Sequence, residues 1–198
     1  MMKNLIYIFI IAISTVFAGC SNDQTWPAGA AQYENTYYIG FQDWGKLDNA
    51  ITFTVKKDST LSIPVQFYSE QVKQYDVTVK YYASDSTYLT AKKVGIAPAS
   101  IAQVGTDFNF VDDKGNVLTP DAKGAYLMVW PQAVKGVKNI YIKAIKSAAR
   151  TGTYSFYLQF IDRKTNGDIT ITNRLNNAVD PYTVNAFTQN FVRKITIQ

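Results

Sequence analysis

The sequence predicts an all-β protein, built as an antiparallel β-sandwich of about nine strands. The chain has 198 residues and is rich in Tyr (14) and Phe (11), residue types that favour pleated sheets. Several short segments alternate apolar and polar residues with a period of two, which is typical of half-buried strands. Turn residues rather than amphipathic helices separate these segments, which favours a sandwich over a parallel α/β sheet. A closed barrel has the same period and is the alternative architecture.

The first half of the domain contains four candidate strands. Residues 36–41 (TYYIGF) form the first, and residues 51–55 (ITFTV) alternate cleanly. Residues 61–67 (LSIPVQF) alternate in the same way, but Pro64 lacks an N–H and therefore predicts an edge strand or a bulge. Residues 75–81 (YDVTVKY) place Tyr and Val on one face and polar side chains on the other.

The second half begins with an irregular stretch. Residues 84–100 (SDSTYLTAKKVGIAPAS) have no clear period and predict a single helical turn capped by Ser84 or Asp85. The residues DDKGN at 112–116 predict a turn with a new strand after it. The remaining candidate strands are residues 105–111, 125–130, 139–145, 153–161 and 191–197.

The N-terminus has the pattern of an export signal. Lys3 is the only charged residue before Asp23, and residues 5–18 are nearly all apolar. That run has the length of a signal-peptide core and is shorter than the roughly 20 residues of a membrane span. Cys20, the only cysteine, follows two small residues. The arrangement resembles a bacterial lipobox, with Phe17 where that signal usually has Leu.

The lipobox resemblance implies a division of the chain into three parts. Residues 1–19 would be a lipoprotein signal peptide, residues 20–31 a flexible tether, and residues 32–198 a single β-sandwich domain. Acyl chains such as palmitate on Cys20 would anchor the protein, because two or more chains give stable membrane attachment. The alternative is an ordinary signal peptide cleaved near Ala18, which would leave Cys20 as a free thiol.

The composition excludes several kinds of chemistry. The chain has no histidine, which removes Ser-His-Asp and Cys-His triads and histidine zinc ligands. Glu34 and Glu70 have no carboxylate partner in the sequence pattern of the kind a glycosidase needs. Asp112 and Asp113 lack the spacing of a calcium loop. The lysines are scattered and the net charge is only +5, which argues against nucleic-acid binding. We expect a non-catalytic protein without a metal or other cofactor.

Four aromatic residues are candidates for carbohydrate binding, because sugar rings stack on aromatic faces. Trp44 lies in the polar segment QDWGKLDN, and Tyr82 is out of phase with the buried face of its strand. Tyr88 lies in the irregular stretch, and Trp130 precedes a proline at a strand end. For each of them the alternative is a place in the core.

Taken together, four features resemble one family. These are the lipobox at Cys20, the short tether, an immunoglobulin-like run of strands, and the segment GTDFNFVDDKGNVLTP at residues 105–120. They resemble small immunoglobulin-like β-sandwich lipoproteins of Bacteroidetes, which are often associated with starch-utilisation-type glycan uptake systems. The resemblance implies an accessory lipoprotein at the outer membrane, on its cell-surface or periplasmic side. Only Cys20 carries over as a functional residue.

Two functions are consistent with such a protein. The first is a non-catalytic module that binds a glycan and supports polysaccharide capture or uptake beside an outer-membrane transporter. The alternative is a structural or assembly scaffold, pilus-associated or part of a transporter complex, that contacts an envelope protein through an exposed edge strand. A glycan binder should expose two or three aromatic rings beside polar groups. A scaffold should expose an unpaired strand or an apolar patch.

Overall fold

Two five-stranded sheets and one separate hairpin make up the fold. The computed structural model describes residues 35–42, 49, 51–89, 92–160, 182–187 and 189–198, and all of them belong to one compact unit. The strands within these residues are β1 (Thr36–Phe41), β2 (Thr52–Val55), β3 (Thr60–Tyr68), β4 (Val77–Ser84), β5 (Ser86–Leu89), β6 (Lys92–Gly95), β7 (Phe108–Val111), β8 (Tyr126–Trp130), β9 (Gly136–Ala144), β10 (Tyr154–Gln159), β11 (Thr183–Ala186) and β12 (Val192–Ile197).

The strand order confirms the predicted sandwich. Sheet A has the order β11-β1-β3-β9-β7, sheet B has the order β2-β12-β10-β4-β8, and β5 pairs only with β6. Most neighbours are antiparallel, but β11 runs parallel to β1 and β2 runs parallel to β12. Each sheet therefore carries one parallel strand at its edge. The twelve described strands exceed the predicted nine because β5, β6 and β11 were not anticipated.

Aromatic rings join the two sheets across the core. Phe108 of sheet A stacks on Phe156 of sheet B with ring centroids 4.0 Å apart and the planes within 2° of parallel. Phe67 of sheet A stacks on Trp130 of sheet B at 4.8 Å. All four side chains are buried. Burying each such ring contributes about 1.5–3 kcal/mol, so these contacts are a main reason why the sheets pack face to face.

The irregular stretch forms a hairpin instead of the expected helical turn. Strands β5 and β6 pair antiparallel, with Thr87 opposite Val94, and Thr87 is buried. Ser84 and Asp85 therefore cap no helix. A short 3₁₀ turn does form later, at Pro98–Ser100, without a side-chain cap. The β-branched side chains at positions 87 and 94 favour the extended backbone over a helix.

The strand expected after the 112–116 turn is absent from the described residues. The turn itself is as predicted, with the Asp112 N–H donating to the carbonyl of Asn116 at 2.9 Å. Beyond it, Val117 makes a single antiparallel bridge to Val111. The amide of Leu118 also donates to the carbonyl of Phe110. These contacts cover the outer edge of β7 without forming a continuous strand.

Pro64 lies in a central strand, which corrects the expectation of an edge or bulge. Its strand, β3, pairs with β1 on one side and β9 on the other. The Pro64 carbonyl accepts a hydrogen bond from the amide of Gln42, just after β1 ends. A strand residue points its N–H and C=O to the same side. The missing N–H of Pro64 therefore faces the end of β1 and removes no hydrogen bond to β9.

An ion pair between the buried Asp107 and the partly exposed Arg150 joins two loops of the sandwich. Asp107 is only 2% exposed, and one of its carboxylate oxygens accepts a hydrogen bond from Arg150 Nε at 2.9 Å. Its other oxygen accepts one from the amide of Gln103 at 2.8 Å. The Arg150 guanidinium also donates to the Ile101 carbonyl and lies 3.9 Å from the ring centroid of Tyr154. This cluster ties the loop before β7 to the loop before β10.

Gly40 gives a testable packing constraint. A Cβ at this position would lie 2.9 Å from Cδ2 of Phe187 and 3.3 Å from Nδ2 of Asn190. Gly40→Ala should therefore displace the Phe187 ring and lower the free energy of unfolding by about 1–3 kcal/mol. Gly95→Ala is the matched control, since its Cβ would meet only Cβ of Ser86 at 4.0 Å. Equal denaturation midpoints for the two variants would contradict this packing.

Candidate binding site

Two of the four aromatic candidates are in the core. Trp130 is 2% exposed, and one face of its ring stacks on Phe67. Tyr88 is also buried. Neither ring presents a face to a sugar, which corrects the expectation that they form a binding platform. The physical reason for Trp130 is its register: it pairs with Val77, whose side chain points into the core.

Tyr82 is the one described candidate at the surface. It is half-buried on β4, opposite Gln159 of β10, and it lines a pocket of about 360 Å³. Ser84, Asp85 and Lys123 supply polar groups to that pocket. We call it the Tyr82 pocket. Trp44 and the lipidation candidate Cys20 lie outside the described residues.

A larger cleft lies where one edge of the sandwich is open. Strand β7 covers β9 only as far as the pair Val111–Tyr141, so among the described residues the stretch of β9 from Val137 to Asn139 has no neighbouring strand on that side. The facing strand of sheet B is β8. Between them is a cleft of about 510 Å³, here called the edge cleft. Its lining includes Tyr81, Leu127, Met128, Val137, Lys138, Asn139, Tyr141, Asp112 and Asp113.

The backbone of β9 offers hydrogen-bonding groups to the edge cleft. Because Pro64 directs its carbonyl toward β1, Pro64 and its partner Asn139 exchange no main-chain bonds. The N–H and C=O of Asn139 therefore point away from β3, into the cleft, and those of Val137 do the same two residues earlier. The side-chain amide of Asn139 donates to the Tyr141 hydroxyl at 3.3 Å.

The carboxylate of Asp112 is fixed by its own turn. One carboxylate oxygen accepts hydrogen bonds from the backbone amides of Lys114 and Asn116 at 2.9 and 2.8 Å. The other oxygen accepts one from Nδ2 of Asn116 at 2.8 Å. The Asn116 side chain, followed by these backbone bonds, lowers the pKa of Asp112 below its usual value. Asp112 therefore stays ionised to a lower pH than an ordinary aspartate does. Its bonding explains the turn without a metal, and no cluster of three or more metal-ligand side chains occurs among the described residues.

Two further groups shape the cleft. Tyr81 lies at its floor, and burial, with a smaller effect of Tyr126, raises the pKa of Tyr81 above its usual value. A tyrosine hydroxyl is ordinarily protonated at neutral pH, and burial extends that state of Tyr81 to higher pH. Lys138 reaches across the cleft from β9 to β8: its Nζ donates to the carbonyl of Val129 and lies 5.3 Å from the ring centroid of Trp130.

The exposed apolar side chains concentrate beside this cleft. The large hydrophobic residues exposed in the described ranges are Val72, Val104, Val117, Leu127, Val129, Val134 and Val137. All seven are aliphatic, and four of them fall between Leu127 and Val137. Leu127 and Val129 alternate with buried residues along β8 and share its outer face. The sequence pattern does not reveal this surface, because the run AYLMVW is apolar throughout and hides the alternation.

The described residues contain no helix that is both long and apolar enough to span a membrane. No protein-family model matches the sequence, and no curated protein sequence matches it. Among solved structures, a chain in a crystal structure of the dockerin–cohesin complex CaDoc0917–CaCohA2 is similar at a TM-score of 0.32. The two chains share 14% identity, over 82% of this chain and 99% of that one. At this TM-score the similarity carries no information about ligand or partner.

Proposed function

We propose that the protein is a lipid-anchored, non-catalytic binding module of the outer membrane that helps to capture polysaccharide. The edge cleft is the observation that carries this proposal. Its lining combines aliphatic residues and the half-buried Tyr141 with an amide, an ammonium and two carboxylates. A sugar ring presents apolar C–H faces together with hydroxyls that both donate and accept hydrogen bonds, and so fits such a mixed lining.

The size and position of the edge cleft also suit a polymer. Its volume of about 510 Å³ falls within the roughly 300–1,000 Å³ of small-molecule sites. The cleft lies at an edge of the sandwich, so a chain of sugars could enter and leave without threading a closed cavity. The main-chain groups of Val137 and Asn139 would bind hydroxyls without any side-chain rearrangement.

Affinity electrophoresis tests the binding site. The full chain in non-ionic detergent would be run through native gels that contain plant, host or microbial polysaccharides. A glycan that retards the chain should bind Tyr141→Ala at least roughly tenfold more weakly, because stacking and a hydroxyl contact are lost. Tyr82→Ala, in the other pocket, is the matched control and should migrate like wild type. Retardation by no polysaccharide, or its loss only in Tyr82→Ala, would refute this site.

The anchor is tested separately. Cells that express the chain would be grown with an alkyne-labelled fatty acid. The wild-type protein should carry the label and sediment with membranes, whereas Cys20→Ser should carry no label. A wild-type chain without the label would refute the lipid anchor and leave the polysaccharide test unaffected.

A further inference from the structure

We propose that β8 is a docking edge for an extended segment of a partner protein. The segment carries an acidic residue, and Lys138 determines which segments can pair with this edge. Two strands face each other across the edge cleft: β9, which carries Tyr141, and β8. The docking surface is the free edge of β8, and its partner is a protein, whereas the proposed glycan contacts lie on β9. Three observations carry the proposal: the direction of the β8 main-chain groups, the exposed side chains on its outer face, and the contact between Lys138 and Val129.

The main chain of β8 points hydrogen-bonding groups away from its sheet. Within the part of the chain that the structure describes, β8 is the last strand of sheet B and pairs only with β4. The Val129 carbonyl accepts a hydrogen bond from Nζ of Lys138. Thr78 lies opposite Val129 on β4, and its amide donates to the Tyr182 hydroxyl at 2.8 Å. Both contacts show that the pair Val129–Thr78 exchanges no main-chain bonds. The N–H and C=O of Val129, and those of Leu127 two residues earlier, therefore face outward.

The side chains of the same two residues form an apolar strip. Leu127 is 52% exposed and Val129 is 41% exposed, while Met128 between them is buried. An added strand would place every second side chain against this strip and its remaining side chains on the side of the edge cleft. Main-chain bonds would supply affinity, and the alternating contacts would supply specificity, as in other cases of strand addition.

Lys138 determines which strand can be added. Its ammonium occupies the Val129 carbonyl, so a new strand must displace it and give it another acceptor. A lysine at an edge is a usual barrier to pairing between copies of a protein. Two copies paired through β8 would bring two Lys138 ammonium groups together. A carboxylate on the added strand would instead form an ion pair with the Lys138 ammonium.

Other charged groups also lie around β8. Lys80, opposite Leu127, pairs with Asp121 at 3.7 Å. Asp112 and Asp113 share the edge cleft with Lys138, and hydrogen bonds within its own turn hold the carboxylate of Asp112 in place. Lys138 is the charged group that contacts the main chain of β8, so an acidic residue placed beside the Val129 carbonyl would meet its ammonium at the shortest range. The matching segment has aliphatic residues at alternate positions and an acidic residue between two of them.

Peptide binding tests the proposal with the full chain in detergent. The probe is a fluorescent octapeptide, TVTVEVTV, whose valines share one face and whose glutamate lies on the other. The matched peptide TVTVKVTV replaces that glutamate with lysine. Fluorescence anisotropy should give at least roughly tenfold tighter binding for the acidic peptide, and Lys138→Met should abolish the difference. Equal binding of the two peptides to wild type, or no binding of either, would overturn the proposal.

Leu127→Pro tests the main-chain contact. The Leu127 N–H makes no bond to β4, so proline there should leave the ladder and the near-ultraviolet circular dichroism unchanged while it removes an outward donor. We expect Leu127→Pro to bind the acidic peptide much more weakly than wild type does. Tyr141→Ala, which changes a residue of β9, should bind that peptide as tightly as wild type. Should Leu127→Pro unfold, Leu127→Ser and Val129→Ser keep the backbone N–H groups, add no charge, and should each weaken binding of the acidic peptide. Unchanged peptide affinity in the folded variants would overturn docking on β8.

Discussion

Trp130→Ala should lower the free energy of unfolding by about 3–5 kcal/mol, the usual cost of truncating a large aromatic side chain in a core. The ring is 2% exposed, stacks on Phe67 of the opposite sheet and lies under the ammonium of Lys138. Its removal would leave a cavity between the sheets next to the edge cleft. Chemical denaturation followed by tryptophan-independent far-ultraviolet circular dichroism would measure the change.

Val129→Ala is the matched control for this prediction. It removes an apolar side chain from the neighbouring position of the same strand, but that side chain is 41% exposed. We expect a loss within about 1 kcal/mol. A Trp130→Ala variant as stable as Val129→Ala would contradict the core position. The prediction also means that any ligand binding lost in Trp130→Ala reports on the fold and does not identify a contact residue.

Arg150→Met should lower the free energy of unfolding by about 2–4 kcal/mol, because it leaves the buried Asp107 carboxylate without its cation. The methionine retains a side chain against the Tyr154 ring, so the loss reflects charge and hydrogen bonding more than packing. For a chain of this size each kcal/mol lowers Tm by roughly 2–4 °C. Differential scanning calorimetry would therefore show a drop of roughly 4–16 °C.

Two further variants isolate the charge effect. Lys146→Met makes the same kind of replacement at a nearby exposed position and should change Tm little. Asp107→Asn added to Arg150→Met removes the orphaned charge and should recover about 1 kcal/mol or more. A double variant less stable than Arg150→Met alone would contradict the account of a buried, uncompensated carboxylate.

Local patterning predicted the strands whose two faces differ. Residues 61–67 alternate, and β3 follows that alternation with Ile63, Val65 and Phe67 buried. Local periodicity does not reveal β11, whose four residues TVNA pair with β1 from the far end of the chain. Pairing of that kind is set by tertiary contacts and has no local period. Arg193 is a similar case: it is fully buried on the inner face of β12, with its guanidinium 4.7 Å from the Phe41 ring centroid.

The candidate site was harder to predict than the fold. Aromatic content alone does not say which face of a strand a ring occupies, and at the end of a strand the phase is ambiguous, as with Trp130. The edge cleft depends on where β7 stops covering β9, which is a consequence of the turn at Asp112. Its contributors come from β4, β8 and β9, far apart in the sequence, and only the fold brings them together.

The central claim is that the edge cleft binds polysaccharide, and amide chemical-shift mapping tests it most directly. The isotope-labelled full chain in detergent would be titrated with an oligosaccharide from a polysaccharide that retards it. The largest shifts should fall on the amides of Val137, Asn139 and Tyr141, with none at Tyr82 or Lys123. Shifts centred on the Tyr82 pocket, or spread evenly over the surface, would contradict the claim.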